Sequence, residues 1–195
     1  MTSSIFTGLS TFPITPPHDN KFDEEAFASL ITRLVVANVD SITVLGSTGS
    51  YAYLTPSECA RIAELAVEHA GSTPVFVGVG DLRTSYVLAY VEAAERAGAA
   101  GLLLAPMSYK ALIADDVFEL YCTVTEHTGL PIIVYDNPNT THLYVHDRSL
   151  HPRRGTAGDR IDQDPRRSYR PQQGARTCED APCGGTQTCH NRGFG

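Results

Sequence analysis

The sequence predicts an α/β protein, a (β/α)8 TIM barrel truncated to about its first five strands and four helices. Short apolar runs alternate with amphipathic stretches of helical length through residues 1–142, at a repeat of about 30 residues, as in parallel βα units. An open nucleotide-binding sheet would carry GxGxxG after its first strand, but here Thr11, Phe12 and Pro13 follow. The barrel is therefore favoured over the doubly wound sheet.

The five predicted strands are short apolar runs bounded by glycine, proline or polar residues. They are Ile5 to Phe12, Ser41 to Leu45, Pro74 to Val79, Ala100 to Ala105 and Pro131 to Tyr135. Because barrel enzymes place their chemistry at the carboxyl ends of parallel strands, candidate site residues are expected directly after these runs.

Four predicted helices separate the strands, at Asp23 to Asn38, Pro56 to Ala70, Thr84 to Ala97 and Asp115 to His127. Their starts carry N-capping signals: Asp23, Thr55 with Glu58 three residues later, and Asp115. Gly71, Gly98 and Gly129 stand where these helices should end.

Composition divides the chain after residue 142. Residues 1–142 hold 16 acidic and 6 basic side chains, whereas residues 143–195 hold 6 acidic side chains, 9 arginines and no lysine. The second segment has five Leu, Ile, Val or Phe residues among its 53, below the fraction of roughly 20% that folded chains need. We therefore expect a partial barrel domain over 1–142 and a disordered, arginine-rich tail over 143–195.

The net charge of −7 argues against a nucleic-acid or anionic-membrane partner, and the tail arginines lack interleaved aromatic residues. No apolar run reaches 18 residues, and the segment from Met1 to Thr11 lacks the basic start of a signal peptide, so we expect a cytoplasmic location. Cys178, Cys183 and Cys189 lack the CxxC spacing of zinc sites. We expect no metal and no cofactor.

The second predicted strand ends in a glycine-flanked turn, Gly46, Ser47, Thr48 and Gly49, just before a helix. Two hydroxyls and clustered backbone amides suit a bound carboxylate. A simple loop with a helix cap is an equal alternative at this point. Gly78 and Gly80, after the third strand, lack phosphate-loop spacing and are interpreted as close backbone packing.

The fifth predicted strand ends in Tyr135, which could move protons if a neighbouring hydroxyl such as that of Thr48 orients it. The alternative is a packed core tyrosine.

Four motifs in order resemble the family of dihydrodipicolinate synthase and N-acetylneuraminate lyase, the class I pyruvate-dependent aldolases. They are GLSTFPITP from Gly8, GSTG from Gly46, GVGDLRT from Gly78 followed by AGAAGLLLAP from Ala97, and YDNP from Tyr135. The resemblance covers about residues 5 to 142.

The resemblance implies a lyase or aldolase in which a lysine forms a Schiff base with pyruvate or another 2-keto acid, and an aldehyde is the second reactant. It assigns Ser47 and Thr48, with Gly46 and Gly49, to carboxylate binding, Thr48 also to a proton relay, and Tyr135 to acid–base chemistry. The family is commonly homotetrameric.

Two departures from the family pattern follow the fourth and fifth strands. Many members carry a tyrosine pair after the fourth strand, where this chain has Met107 and Ser108, with Tyr109 as a possible substitute. Thr140 stands where true dihydrodipicolinate synthases have an arginine for a second substrate carboxylate. This departure argues against the second substrate of dihydrodipicolinate synthase.

The family's Schiff-base lysine lies on strand six, yet the chain's lysines are Lys21 and Lys110, and neither matches that motif. Residues 158–165 (GDRIDQDP), read one nucleotide later, can encode IASIKIP, which resembles a family strand six with its lysine. We hypothesise a one-base shift of the gene just after His142. We therefore expect the chain to be catalytically inactive as written; the alternative to a lyase is an inactive fragment or a keto-acid binding or interaction module.

Overall fold

The computed structural model describes residues 5–19, 21–110, 112–135 and 137, together with a strand at 188–191. Its main sheet has six strands in the order β1–β2–β3–β4–β5–β6, and every neighbouring pair is parallel. The strands are β1 Ser10–Thr11, β2 Ser41–Val44, β3 Val75–Gly78, β4 Gly101–Leu104, β5 Ile132–Tyr135 and β6 Thr188–Asn191.

Each helix connects two neighbouring strands of the sheet, as a βα repeat requires. The helices are α1 Glu24–Val36, α2 Pro56–Ala70, α3 Thr84–Ala97 and α4 Ala114–His127. The first five parallel strands with their four helices are a half-barrel, which confirms the predicted truncated TIM barrel.

The predicted helix starts are confirmed for the first two helices. The Asp23 side chain accepts a hydrogen bond from the Ala26 amide, and Thr55 forms a capping box with Glu58. The prediction for the fourth helix was wrong by one residue. Helix α4 begins at Ala114 and its N-cap is Ile113, because the Asp116 carboxylate, rather than Asp115, accepts the Ile113 amide proton.

The larger hydrophobic core lies between the sheet and its helices, and its members include Ile31, Ile62 and Val91 from the helices with Ile42 and Val77 from the strands. A smaller cluster lies on the other face of the sheet, in the position of a barrel interior. Its buried members are Phe76, Leu103 and Ile133, with Phe6, Phe12 and Tyr135 packed against them. Alternate residues of each strand thus serve two different cores.

Three features of the structure were not predicted. A two-stranded antiparallel ribbon joins Pro17–His18 to Lys21–Phe22 before α1. The first strand is only two residues long, instead of Ile5 to Phe12. Strand β6, in the segment expected to be disordered, pairs with β5 so that Asn191 lies opposite Tyr135. The rest of the segment 143–195 lies outside the described residues, so the domain boundary stays a prediction.

Among the described residues, no helix combines the length and the apolar character needed to cross a bilayer.

Candidate active site

A small pocket opens at the carboxyl ends of the strands, where the fold predicts chemistry. It encloses about 210 Å³ including its open mouth. Its polar groups come from Ser47, Tyr51 and Tyr135, and its glycine wall from Gly46, Gly78 and Gly80, with Leu45, Leu103 and Ala105 completing the lining. The predicted glycine turn and the predicted tyrosine therefore meet in one place.

The glycine turn is a single 3-10 turn over Ser47–Gly49. The Gly49 amide donates to the Gly46 carbonyl at 2.9 Å and the Ser50 amide to the Ser47 carbonyl at 3.1 Å. Leu45 (φ 57°) and Ser50 (φ 54°) bracket the turn in the left-handed region. Two non-glycine residues in that region cost roughly 1–3 kcal/mol each, and such strain clusters at functional sites.

Tyr135 ends β5 with its hydroxyl held between two side chains. The phenol oxygen lies 2.7 Å from Ser47 Oγ, across 88 positions of sequence, and accepts a hydrogen bond from Asn137 Nδ2 at 3.1 Å. Because Asn137 donates a hydrogen bond to the phenol oxygen, the phenol O–H can itself donate to Ser47 Oγ. This arrangement is what a proton-transfer group needs: a fixed hydroxyl with a hydroxyl neighbour.

The other predicted site residues are placed differently. Ser47 and Thr48 are both exposed, and the hydroxyl of Ser47, instead of that of Thr48, hydrogen-bonds to Tyr135. Tyr109 is 93% exposed, away from the pocket lining. Thr140 lies outside the described residues. The relay role of Thr48 and the roles of Tyr109 and Thr140 stay predictions.

Gly78 and Gly80 are required by close approach, as the sequence analysis proposed. A Cβ atom on Gly78 would lie 2.0 Å from the Leu45 carbonyl oxygen, and one on Gly80 would lie 2.8 Å from the Ala105 carbonyl oxygen. Real Cβ atoms do not approach backbone that closely, so a side chain at either position would displace the neighbouring strand end. The two glycines let the strand ends converge on the pocket.

Sequence reasoning missed Tyr51, which lies on a second 3-10 turn, Tyr51–Tyr53. Its hydroxyl donates to Met107 Sδ at 2.7 Å. Burial, reinforced by the neighbouring Tyr135 and Asp81, raises the pKa of Tyr51 to about 12. At neutral pH this phenol is therefore a hydrogen-bond donor and no base. An unremarkable tyrosine two residues after GSTG gives little signal in the sequence.

Lys21 and Lys110 both have exposed side chains, and neither contributes to the pocket lining. Within the described part of the chain, no group of three His, Cys, Asp or Glu side chains stands close enough together to hold a metal ion. The described residues of the pocket lining supply the hydroxyl groups of Ser47, Tyr51 and Tyr135.

Comparison with known proteins places this geometry in a family. The 4-hydroxy-tetrahydrodipicolinate synthase of Phenylobacterium zucineum is 31% identical over 146 residues, which are 74% of this chain and 50% of that protein. The crystal structure of dihydrodipicolinate synthase from Agrobacterium tumefaciens is 43% identical, with a TM-score of 0.72 over 75% of this chain and 50% of that chain.

A third relative is the prophage protein YagE of E. coli, crystallised in complex with pyruvate. It is 27% identical with a TM-score of 0.69, over 73% of this chain and 48% of that one. The chain thus spans about half the length of the relatives it matches. The sequence model of the dihydrodipicolinate synthetase family matches residues 5–147, five residues beyond the predicted boundary. The chain therefore belongs to the dihydrodipicolinate synthetase family.

Proposed function

We propose that this chain carries the keto-acid site of a lyase of its family, in which a carbon–carbon bond is made or broken beside a Schiff base of pyruvate or a similar 2-keto acid. The single observation that supports this most is the 2.7 Å contact of Ser47 Oγ with the Tyr135 hydroxyl at the carboxyl edge of the sheet. It joins the glycine turn to the acid–base tyrosine in one open pocket.

The 3-10 turn suits the carboxylate of the keto acid. The amides of Ser47 and Thr48 begin the turn, before the Gly49 and Ser50 amides that close it by donating to Gly46 and Ser47 carbonyls. The first amides of any helical turn lack partners inside that turn, and they stabilise a bound anion. Buried glycines at both ends keep side chains from covering these amides.

Tyr135 suits the proton transfers of such a reaction. With its hydroxyl fixed by Ser47 and Asn137, the phenol can donate a proton to the carbinol oxygen as an imine forms, or take a proton during carbon–carbon bond cleavage. Ser47 is the group that passes this proton onwards. We therefore assign to Ser47 the relay role that the sequence analysis gave to Thr48.

The described pocket lacks an amine nucleophile for Schiff-base formation. The chain's lysines, Lys21 and Lys110, are exposed and outside the pocket lining, so the pocket has no amine to attack the keto carbon. This observation favours the second candidate function, a module that binds a 2-keto acid without converting it. We propose that the chain as written does so, and that lyase activity belongs to a form with the strand-six lysine.

Calorimetric titration of the full chain with pyruvate tests the site. We expect saturable binding that Ser47→Ala weakens, since it removes a hydroxyl from the turn and from Tyr135. Thr48→Val is the matched control at the next position, and it should change affinity less. No binding by the unaltered chain would reject the proposed function. A loss of binding with Thr48→Val but not with Ser47→Ala would contradict the part in binding that we assign to the Ser47 hydroxyl.

A further inference from the structure

Among the described residues that line the pocket, Tyr51 has the one polar side chain that the keto-acid site described above leaves without a role. Its side chain forms part of the pocket wall, together with Gly46, Gly80 and Tyr135. The fit is close, because a Cβ atom on Gly80 would lie 3.2 Å from the Tyr51 hydroxyl oxygen. A glycine at position 80 thus admits both the Ala105 carbonyl and this phenol.

The hydroxyl of Tyr51 is held by a weak partner. Within the described residues its acceptor is the thioether sulfur of Met107, whereas the neighbouring phenol of Tyr135 has an oxygen and an amide as partners. A thioether is a poor acceptor, and a carboxylate or keto oxygen is a much better one. A ligand oxygen in the pocket can therefore draw this hydroxyl away from the sulfur at little cost.

The protonation state of Tyr51 suits that exchange. Its pKa lies at about 12 because the phenol is buried and faces Tyr135 and Asp81. The group thus keeps its proton throughout the neutral range and remains available to donate a hydrogen bond. Tyr135 and Tyr51 then have separate tasks, one exchanging a proton and the other holding an oxygen.

We propose that Tyr51 is a substrate-positioning and specificity-determining residue, whose hydroxyl donates to an oxygen of the bound 2-keto acid and whose ring limits the site to a pyruvate-sized ligand. The inference rests on the proposed keto-acid site. Tyr51 would then select the ligand by its size and by one hydrogen bond. Variants that remove the Tyr51 ring should therefore bind larger acids.

The experiment is a calorimetric titration of the full chain with pyruvate and, separately, with 4-methyl-2-oxopentanoate. Tyr51→Phe keeps the ring and should weaken pyruvate binding about tenfold, the value of one hydrogen bond to a charged acceptor. Tyr51→Ala removes the wall and should reverse the preference, so that the longer acid binds more tightly than pyruvate. Tyr53→Phe, on the same turn and 91% exposed, is the matched control and should bind as the unaltered chain does.

Met107→Leu separates positioning from a structural role. Removing the sulfur frees the Tyr51 hydroxyl for the ligand, so pyruvate should bind at least as tightly as to the unaltered chain. If Tyr51 only stabilised the fold through Met107, Met107→Leu would weaken binding together with Tyr51→Phe. That result, or equal pyruvate affinity of Tyr51→Phe and the unaltered chain, overturns the inference and leaves the keto-acid site standing. No binding of pyruvate by the unaltered chain overturns both.

Discussion

Replacing Gly78 with alanine measures how tightly the ends of β2 and β3 are packed around the pocket. The added Cβ would lie 2.0 Å from the Leu45 carbonyl oxygen, whereas ordinary contacts begin at 3.4 Å. The two strand ends must therefore separate by about 1.4 Å (3.4 − 2.0). Because the obstructing atom is backbone, no side chain can rotate away to relieve the overlap.

The loss of stability in Gly78→Ala follows from the rigidity of the Leu45 backbone. Overpacking a close-packed interior destabilises by about 1–3 kcal/mol, and a clash with backbone belongs at the upper end, so we expect the free energy of unfolding to fall by about 3 kcal/mol. With a denaturant slope of about 1–3 kcal/mol per molar urea, the unfolding midpoint should fall by about 1–3 M. The separation of the two strand ends also moves Leu45 and the turn after it, so pyruvate binding should be lost as well.

Urea titration followed by far-ultraviolet circular dichroism gives the midpoint, and calorimetry gives the binding. Gly129→Ala is the matched control, since a Cβ there meets nothing within 4 Å. It should change the midpoint little. If Gly78→Ala unfolds at the same urea concentration as the unaltered chain and still binds pyruvate, the strand ends are not packed as described.

Three further predictions concern the helix cap, the tyrosines and the gene. Thr55→Ala removes the capping box of α2 and should cost about 1 kcal/mol at neutral pH. Hydrogen bonds from the Thr55 backbone and side chain lower the pKa of Glu58. The stability that Glu58 adds through these bonds is therefore fully present above the ordinary carboxyl pKa, and it is lost as the pH falls through the lowered pKa of Glu58. If Thr55→Ala destabilised the chain equally in acid, this explanation would be wrong. Burial raises the pKa of Tyr51 and of Tyr90 to about 12, so these two tyrosines should ionise late in an ultraviolet titration. Unfolded tyrosines ionise near pH 10, so stability should fall between about pH 10 and 12, and Tyr51→Phe should reduce that fall. Sequencing the DNA that encodes residues 142–165 should reveal one base gained or lost relative to the frame encoding IASIKIP; an uninterrupted frame would refute the shift.

The elements that the sequence predicted well are those whose local signals agree with their burial. Helix α2 matches its predicted bounds because Thr55, Pro56 and Glu58 define its start, and four-residue strands such as β3 are continuous apolar runs buried on both faces. Strand β1 was predicted too long. Its apolar neighbour Leu9 is 64% exposed, so hydrophobicity alone overstated the strand.

The candidate site was predicted as two separate pieces, and the structure determined how they join. The turn after β2 and Tyr135 are 88 positions apart, and the parallel order of β2 to β5 brings their ends together. The turn that presents Ser47 to Tyr135 follows Leu45, whose φ is 57°, and no sequence pattern predicts a positive φ for a leucine. Tyr51 was missed because its partners, Gly80 and Met107, come from two other strand ends.

The proposed function has two parts: the pocket binds a 2-keto acid, and it lacks the lysine that would convert that acid. Reduction with borohydride in the presence of pyruvate, followed by intact-mass measurement, tests the second part on a full chain already shown to bind pyruvate. We expect an unchanged mass, because neither of the chain's lysines, Lys21 and Lys110, lies in the pocket lining where a bound keto acid would meet it. A pyruvate adduct reduced onto either lysine would contradict it.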